Sequence, residues 1–80
     1  MNKSEVLKKV NDIFIDVLDN QDIVLSESTA ANDVEEWDSL THIQLIVGIE
    51  KNLKIRFTSK EIQSWKNVGE MIDCIITKGV

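Results

Sequence analysis

Ser39 is the side chain in this sequence with the strongest claim to chemistry. It stands in the run Glu35-Glu36-Trp37-Asp38-Ser39-Leu40, directly ahead of a helical apolar pattern, so its hydroxyl is placed at the start of a helix. His42 follows three residues later, and residues three apart on a helix are neighbours, so a Ser-His pair is geometrically open. Hydrolysis by such a pair would also require an orienting group for the histidine, an oxyanion hole and a pocket. The sequence has no Gly-x-Ser-x-Gly elbow, and 80 residues leave little room for a cleft, so catalysis by this chain alone is not expected. His42 reads instead as a solvent-facing neighbour of the serine, able to contact a phosphate or a partner. Two roles remain for Ser39. Its hydroxyl can cap the helix by accepting from a free backbone N–H. Alternatively it can carry a phosphodiester installed by a separate enzyme, because free N–H groups and the helix dipole favour an anion there.

The carboxylates Asp33, Glu35, Glu36 and Asp38 lack the spacing and central glycine of a calcium loop, and no metal site is expected. They read as a solvated run favouring the positive end of the next helix, with Asp38 able to cap it. A lone cysteine, Cys74, allows neither an intramolecular disulfide nor a zinc cluster, and is expected to be an inert, partly covered thiol. Residues 1–38 carry ten acids against three bases, whereas 39–80 carry four against six. No lysine or arginine cluster precedes Lys51, so nucleic acid is not an expected partner, and basic protein surfaces are. No apolar run approaches the roughly 18 residues that span a bilayer, and the N-terminus lacks a signal-peptide core. The expectation is a cytoplasmic monomer that neither enters a membrane nor is exported.

The elements that must position Ser39 follow from periodicity. Val6, Leu7, Val10, Ile13, Phe14, Val17 and Leu18 recur at three and four, predicting a first helix from about Lys3 to Leu18 or Asp19, with Asn2 and Glu5 at capping-box spacing. From Asn20 to Trp37 no period holds. This predicts a long ordered loop with Ile23, Leu25, Val34 and Trp37 plugged into the core and a short helical turn starting among Ser26, Ser28 and Thr29.

The second helix is predicted over Ser39 to about Asn52. Its apolar residues spread over roughly 220°, wider than the single stripe a small bundle buries. Ile43 and Val47 are therefore expected to stay partly exposed beside Ser39 as a partner contact, unless loop residues cover them. Gly48 inside this helix either admits a close neighbour or is simply tolerated. Lys54-Ile55-Arg56-Phe57 alternates like a strand but has no partner strand, so it reads as an extended connector burying Ile55 and Phe57. Thr58 with Glu61 opens a short helix, Ser59 to Ser64, with Ile62 and Trp65 packing inward. Asn67 with Glu70 opens the last, striped by Val68, Met71, Ile72, Ile75 and Ile76 and closed at Gly79. The expected fold is one all-α domain spanning 1–80, a small bundle of three main helices plus one short helix with a long first loop.

The Asp38-Ser39-Leu40 triplet, Trp37 before it and Glu50 further down the helix resemble the acyl carrier protein family. The resemblance covers nearly the whole chain, including Asn67-Val68-Gly69 opening the last helix. It implies that Ser39, flanked by Asp38 and Leu40, receives a covalent 4'-phosphopantetheine from coenzyme A. The donor enzyme would be a phosphopantetheinyl transferase, also called holo-acyl-carrier-protein synthase, and the arm's thiol would carry acyl groups as thioesters. It further implies that helix two is the recognition helix, with Asp38, Leu40, Thr41, Ile43, Gln44, Val47 and Glu50 facing basic patches of acyl-loading, condensing or acyltransferase enzymes. The pathway would be fatty acid, polyketide or another specialised biosynthesis. Where fatty acid carriers commonly have acids, this chain has Thr41, Gln44, Lys51 and Asn52, and its Trp37-to-His42 wording looks more like dedicated carriers of bacterial specialised pathways. Leu7, Ile46, Ile49, Ile62 and Ile72 would either line a gap for an acyl chain or close into a solid core. An aminoacyl or peptidyl carrier, and an unmodified helical interaction domain, are the alternatives.

Overall fold

The computed structural model describes residues 2–79; Met1 and Val80, the ends of the expected 1–80 domain, lie outside the described residues. Four α-helices run α1 Lys3–Leu18, α2 Ser39–Leu53, α3 Ser59–Ser64 and α4 Val68–Thr77, and no strand occurs among the described residues. The predicted boundaries hold to within a residue because side-chain caps fix the starts. Asn2, Thr58 and Asn67 each accept from the N–H three residues on, at 2.9, 3.1 and 2.9 Å. These bonds satisfy donors that a helix cannot satisfy internally. At the far ends, α1 stops at Asp19 and α2 at Lys54, both in the left-handed region at φ 52° and 56°. Gly79 takes φ 88° after α4, as its position predicted.

The core forms where the stripes meet. α1 packs against both α2 and α4. Val6, Val10 and Phe14 from α1, Leu45 and Ile49 from α2, and Val68, Met71, Ile72 and Ile75 from α4 are fully buried. Gly48 is a close-approach site: a Cβ there would stand 3.1 Å from Ile13 Cγ2 and 3.6 Å from Val17 Cγ2, so its lack of a side chain lets α1 lie against α2. Ile55 and Phe57 are partly buried against the same core, as the connector reading required, and so is Trp65, expected to pack inward after the short helix.

The first loop is ordered by backbone demand. Ile23, Leu25 and Trp37 are buried in the core cluster and Val34 packs partly against it. That burial strips water from nearby peptide groups, which must then be paired. Asn11 supplies two bonds, its Nδ2 donating to Ile23 O at 3.1 Å and its Oδ1 accepting from Leu25 N–H at 2.6 Å. Further on, Thr29 O and Glu27 O accept from Val68 N–H and Gly69 N–H, each at 2.8 Å, so the loop caps α4 while α4 anchors the loop. The expected helical turn sits later than predicted. Ser26 to Thr29 make only a hydrogen-bonded turn with their hydroxyls interlinked, and the helical turn is a 3-10 segment at Ala31–Asp33, where Asp33 Oδ2 accepts from Ala30 N–H. Serine and threonine hydroxyls compete with helix bonds in this way.

Two predictions follow from these anchors. In Gly69→Ala the new Cβ would lie 2.8 Å from Glu27 O and 3.2 Å from Glu27 Cβ, so the loop must move off α4. A loss of about 1–3 kcal/mol is expected in urea unfolding, and an unchanged midpoint would dismiss this contact. The second concerns acid. The Thr58 backbone N–H, then the Lys78 ammonium at 2.9 Å, hold the Glu61 carboxyl at about 2 against an ordinary 4.5. Its stabilisation is therefore complete above pH 4.5 and lost as pH falls toward 2. Glu61→Gln should lose less stability than the native chain across that window, read by urea unfolding at each pH.

Candidate functional site

The head of α2 is built by a reciprocal cap. Asp38 Oδ1 accepts from Leu40 N–H at 3.0 Å and Thr41 N–H at 2.9 Å, and Thr41 Oγ1 accepts from Asp38 N–H at 2.8 Å while donating to Glu36 O at 2.8 Å. The Thr41 N–H, with the Thr41 hydroxyl and the Leu40 N–H, holds the Asp38 carboxyl below its ordinary value. Asp38 is thus the N-cap and Ser39 the first helical residue. The capping role considered for the serine falls to its neighbour. The Ser39 side chain is exposed and makes no hydrogen bond among the described residues, so its hydroxyl is open to solvent. The free N–H groups expected for an anion are fewer than the sequence suggested, because Asp38 already occupies those of Leu40 and Thr41.

His42 departs from its expected solvent-facing position. Its Nδ1 accepts from Trp37 Nε1–H at 3.0 Å, and its ring stacks on Trp37 with centroids 5.9 Å apart. Trp37 in turn meets Phe14 edge-on at 4.9 Å, so the indole links the core to His42, two residues after the triplet. His42 also meets Trp65 in an edge arrangement at 6.2 Å, and Trp65 packs on Phe57 at 4.9 Å. An acceptor nitrogen committed to an indole and a ring in contact with two others make His42 part of a wall. It is no general base for Ser39 in this arrangement.

That wall borders an open cleft of about 660 Å³ lined also by Ser39, Asp38, Ala31, Ile43, Ile62, Gln63, Lys66 and Asn67. Sequence reasoning did not connect Trp65, Gln63, Lys66 or Asn67 with the serine. They stand far downstream, and their helices had to be packed before they could meet it. Of the five aliphatic residues expected around an acyl gap, Ile62 lines this cleft, whereas Ile49 and Ile72 are buried in the core cluster, Ile46 is buried outside it and Leu7 packs partly against it.

The remaining candidates divide between surface and scaffold. Leu40, Ile43 and Val47 are 69%, 62% and 45% exposed, forming an apolar stripe that starts beside Ser39, and Gln44 is exposed among them. The expectation that Ile43 and Val47 escape the loop is met. Thr41 is tied into the cap. Glu50 is half-buried, its Oε2 accepting from Phe57 N–H at 2.9 Å, so it fastens the connector to α2. Cys74 is partly covered, and burial, with the nearby Glu61 carboxylate, pushes its thiol up, away from the reactive thiolate. No helix among the described residues is long and apolar enough to cross a membrane.

No family model matches the chain. Curated relatives do. An acyl carrier protein of Cyanidium caldarium is 33% identical over 79 residues, 98% of this chain and 91% of that protein. One from Porphyromonas gingivalis is 36% identical over 73 residues, 90% and 92% of the two chains. A solved structure, holo acyl carrier protein from Geobacter metallireducens, superposes with a TM-score of 0.86 at 44% identity, covering 91% of this chain and 84% of that one. Near-complete coverage in both directions, with the triplet at the head of α2 in the same four-helix frame, makes this chain a member of the acyl carrier protein family.

Proposed function

We propose that Ser39 is the attachment point of a 4'-phosphopantetheine arm and that the chain delivers acyl groups to partner enzymes of a bacterial-type specialised, polyketide or fatty acid pathway. The observation that carries this reading is the exposed Ser39 hydroxyl, relieved of capping by Asp38, in the lining of the cleft. A modifying enzyme needs an accessible hydroxyl on a rigid support, and the Asp38–Thr41 cap supplies the support. The residues fit the group: Ser39 offers the ester oxygen, Lys66 is the cation lining the adjoining cleft, and the Trp37, His42 and Trp65 wall offers a flat apolar side. When bound, the arm would supply a thiol that holds an acyl group as a thioester. The protein's own part is to orient that arm and to be recognised, not to catalyse. The single free cysteine suits a reducing, cytoplasmic setting.

The exposed stripe favours α2 as the face that phosphopantetheinyl transferase and the acyl-loading, condensing or acyltransferase enzymes meet. Leu40, Ile43, Gln44 and Val47 supply its contact area, Asp38 the charge nearest the serine, and Thr41 and Glu50 the internal bonds that keep it rigid.

Intact mass after incubation with coenzyme A and a broad-specificity phosphopantetheinyl transferase tests the assignment. The native chain should gain one phosphopantetheine and Ser39→Ala none. Because the hydroxyl makes no capping bond, that variant should unfold within about 0.5 kcal/mol of the native chain. Equal gain in both chains would move the attachment elsewhere; gain in neither would return the chain to a plain interaction domain. Ile43→Asp and Val47→Asp should likewise hold stability within about 0.5–1 kcal/mol while slowing the transferase. A large stability loss would put those side chains in the core and end the docking role.

A further inference from the structure

The face of α2 that carries Leu40, Ile43 and Val47 is charged differently at its two ends. Ahead of the stripe, Glu35 and Asp38 are exposed carboxylates on the segment leading into the helix. Beyond it, Lys51, Lys54 and Arg56 are exposed and line one open hollow of about 480 Å³ with Val47, Glu50 and Ile55. Val47 belongs to both the stripe and the hollow, so the two are continuous. From Asp38 to Lys54 the helix rises roughly 24 Å, well beyond the Debye length of roughly 8 Å at physiological ionic strength. A partner therefore meets two separate poles.

Several features turn the basic pole outward. Glu50 is the one carboxylate between residues 39 and 60, and it is half-buried on Phe57 N–H. Among the described residues Lys51, Lys54 and Arg56 enter no ion pair, whereas Lys3 and Lys78 do. Lys54 is fixed where α2 ends by its left-handed backbone and its N–H bond to Glu50 O. Arg56 is held on the surface by Ile55 and Phe57, which pack on the core on either side of it. In a chain of net charge -5, this end of α2 is a local reversal of sign.

We propose that α2 is a bipolar docking face whose partner is a protein surface with an apolar groove, basic at the end that meets Ser39 and acidic at the end that meets Lys51, Lys54 and Arg56. The groove takes Leu40, Ile43 and Val47, and the two poles set the direction in which α2 lies along it. A partner that is basic throughout would face the far pole with like charge, which opposes the wrong orientation and the wrong partner. The inference rests on the carrier reading for the partner's role, and departs from a recognition helix that seeks basic patches along its whole length.

The probe is a synthetic amphipathic helical peptide with one apolar stripe, a lysine block at one end, a glutamate block at the other and a nitroxide on the glutamate end. It is titrated into the isotope-labelled full chain, native and Ser39→Ala, by NMR. The amides of Lys51, Lys54 and Arg56 should broaden while those of Ser39 and Leu40 keep their intensity. The triple reversal K51E/K54E/R56E, with an unchanged unfolding midpoint, should weaken binding by about tenfold or more. Should that variant fail to fold, K51E alone should weaken binding about threefold. Broadening centred on Ser39 or equal at both ends overturns the proposal, as does unchanged affinity in the reversed variants. Tighter binding of the native chain to phosphatidylglycerol vesicles or to oligothymidylate than to the peptide assigns the basic pole to another class of partner and also overturns it. The titration needs no arm. Lost directionality with Ser39 loading intact overturns this inference alone, and lost loading with directional docking intact overturns the carrier reading alone.

Discussion

The demand of buried peptide groups for hydrogen-bond partners governs how this small domain is put together. Between α1 and α2 the chain runs for some twenty residues with little regular structure, yet it must carry Ile23, Leu25 and Trp37 into the core. Asn11 answers that demand from the side of α1, and the opening N–H groups of α4 answer it from the other. Each anchor serves two elements at once. The helix N-terminus of α4 has donors that need acceptors and the loop has carbonyls that need donors, so pairing them removes two penalties with the same bonds. With 80 residues and no disulfide, such double use offsets a core too small to hold the loop by apolar burial alone.

The order imposed on the loop reaches Ser39 through Trp37. Its ring is buried against Phe14, and its N–H, which would otherwise be unpaired, finds His42 one turn into α2. Trp37 therefore fixes the entry angle of the chain, and Asp38, next in line, is delivered to the cap. A carboxylate is a stronger capping acceptor than a hydroxyl because charge-assisted bonds are the stronger kind. The division of labour follows: the residue before the serine takes the helix's free N–H groups, and the serine is left with nothing to hold. The arrangement holds Ser39 on a capped helix start and leaves its hydroxyl without an internal partner.

The charge pattern adds a second layer. Acidic residues dominate the first half of the chain and give the protein its net charge, but the exposed face of α2 does not share that sign along its length. Its one carboxylate beyond the cap, Glu50, serves the connector, and the connector in turn carries Arg56 to the surface beside Lys51 and Lys54. The same bond that closes the fold after α2 thus shapes the electrostatics of its outer face.

The sequence by itself determined the helices, three of their four caps and the placement of Ser39 at the head of the second helix. Helical periods of three and four, capping spacings at Asn2, Thr58 and Asn67, and the Asp38-Ser39-Leu40 triplet are local patterns, and local patterns are what a one-dimensional reading captures. The apolar arc of α2, wider than one bundle face can cover, left Ile43 and Val47 either exposed or covered by the loop, and the fold leaves them exposed. Only the tertiary structure decided the rest. His42 could not be assigned to a wall before Trp37 and Trp65 were brought against it, and Glu50 could not be tied inward before Phe57 N–H was brought to it. The cleft beside Ser39 joins residues from α2, the 3-10 turn, α3 and the head of α4. Such a site depends on angles between helices set by packing, as where a Gly48 without a side chain lets α1 approach, and sequence spacing carries no record of those angles.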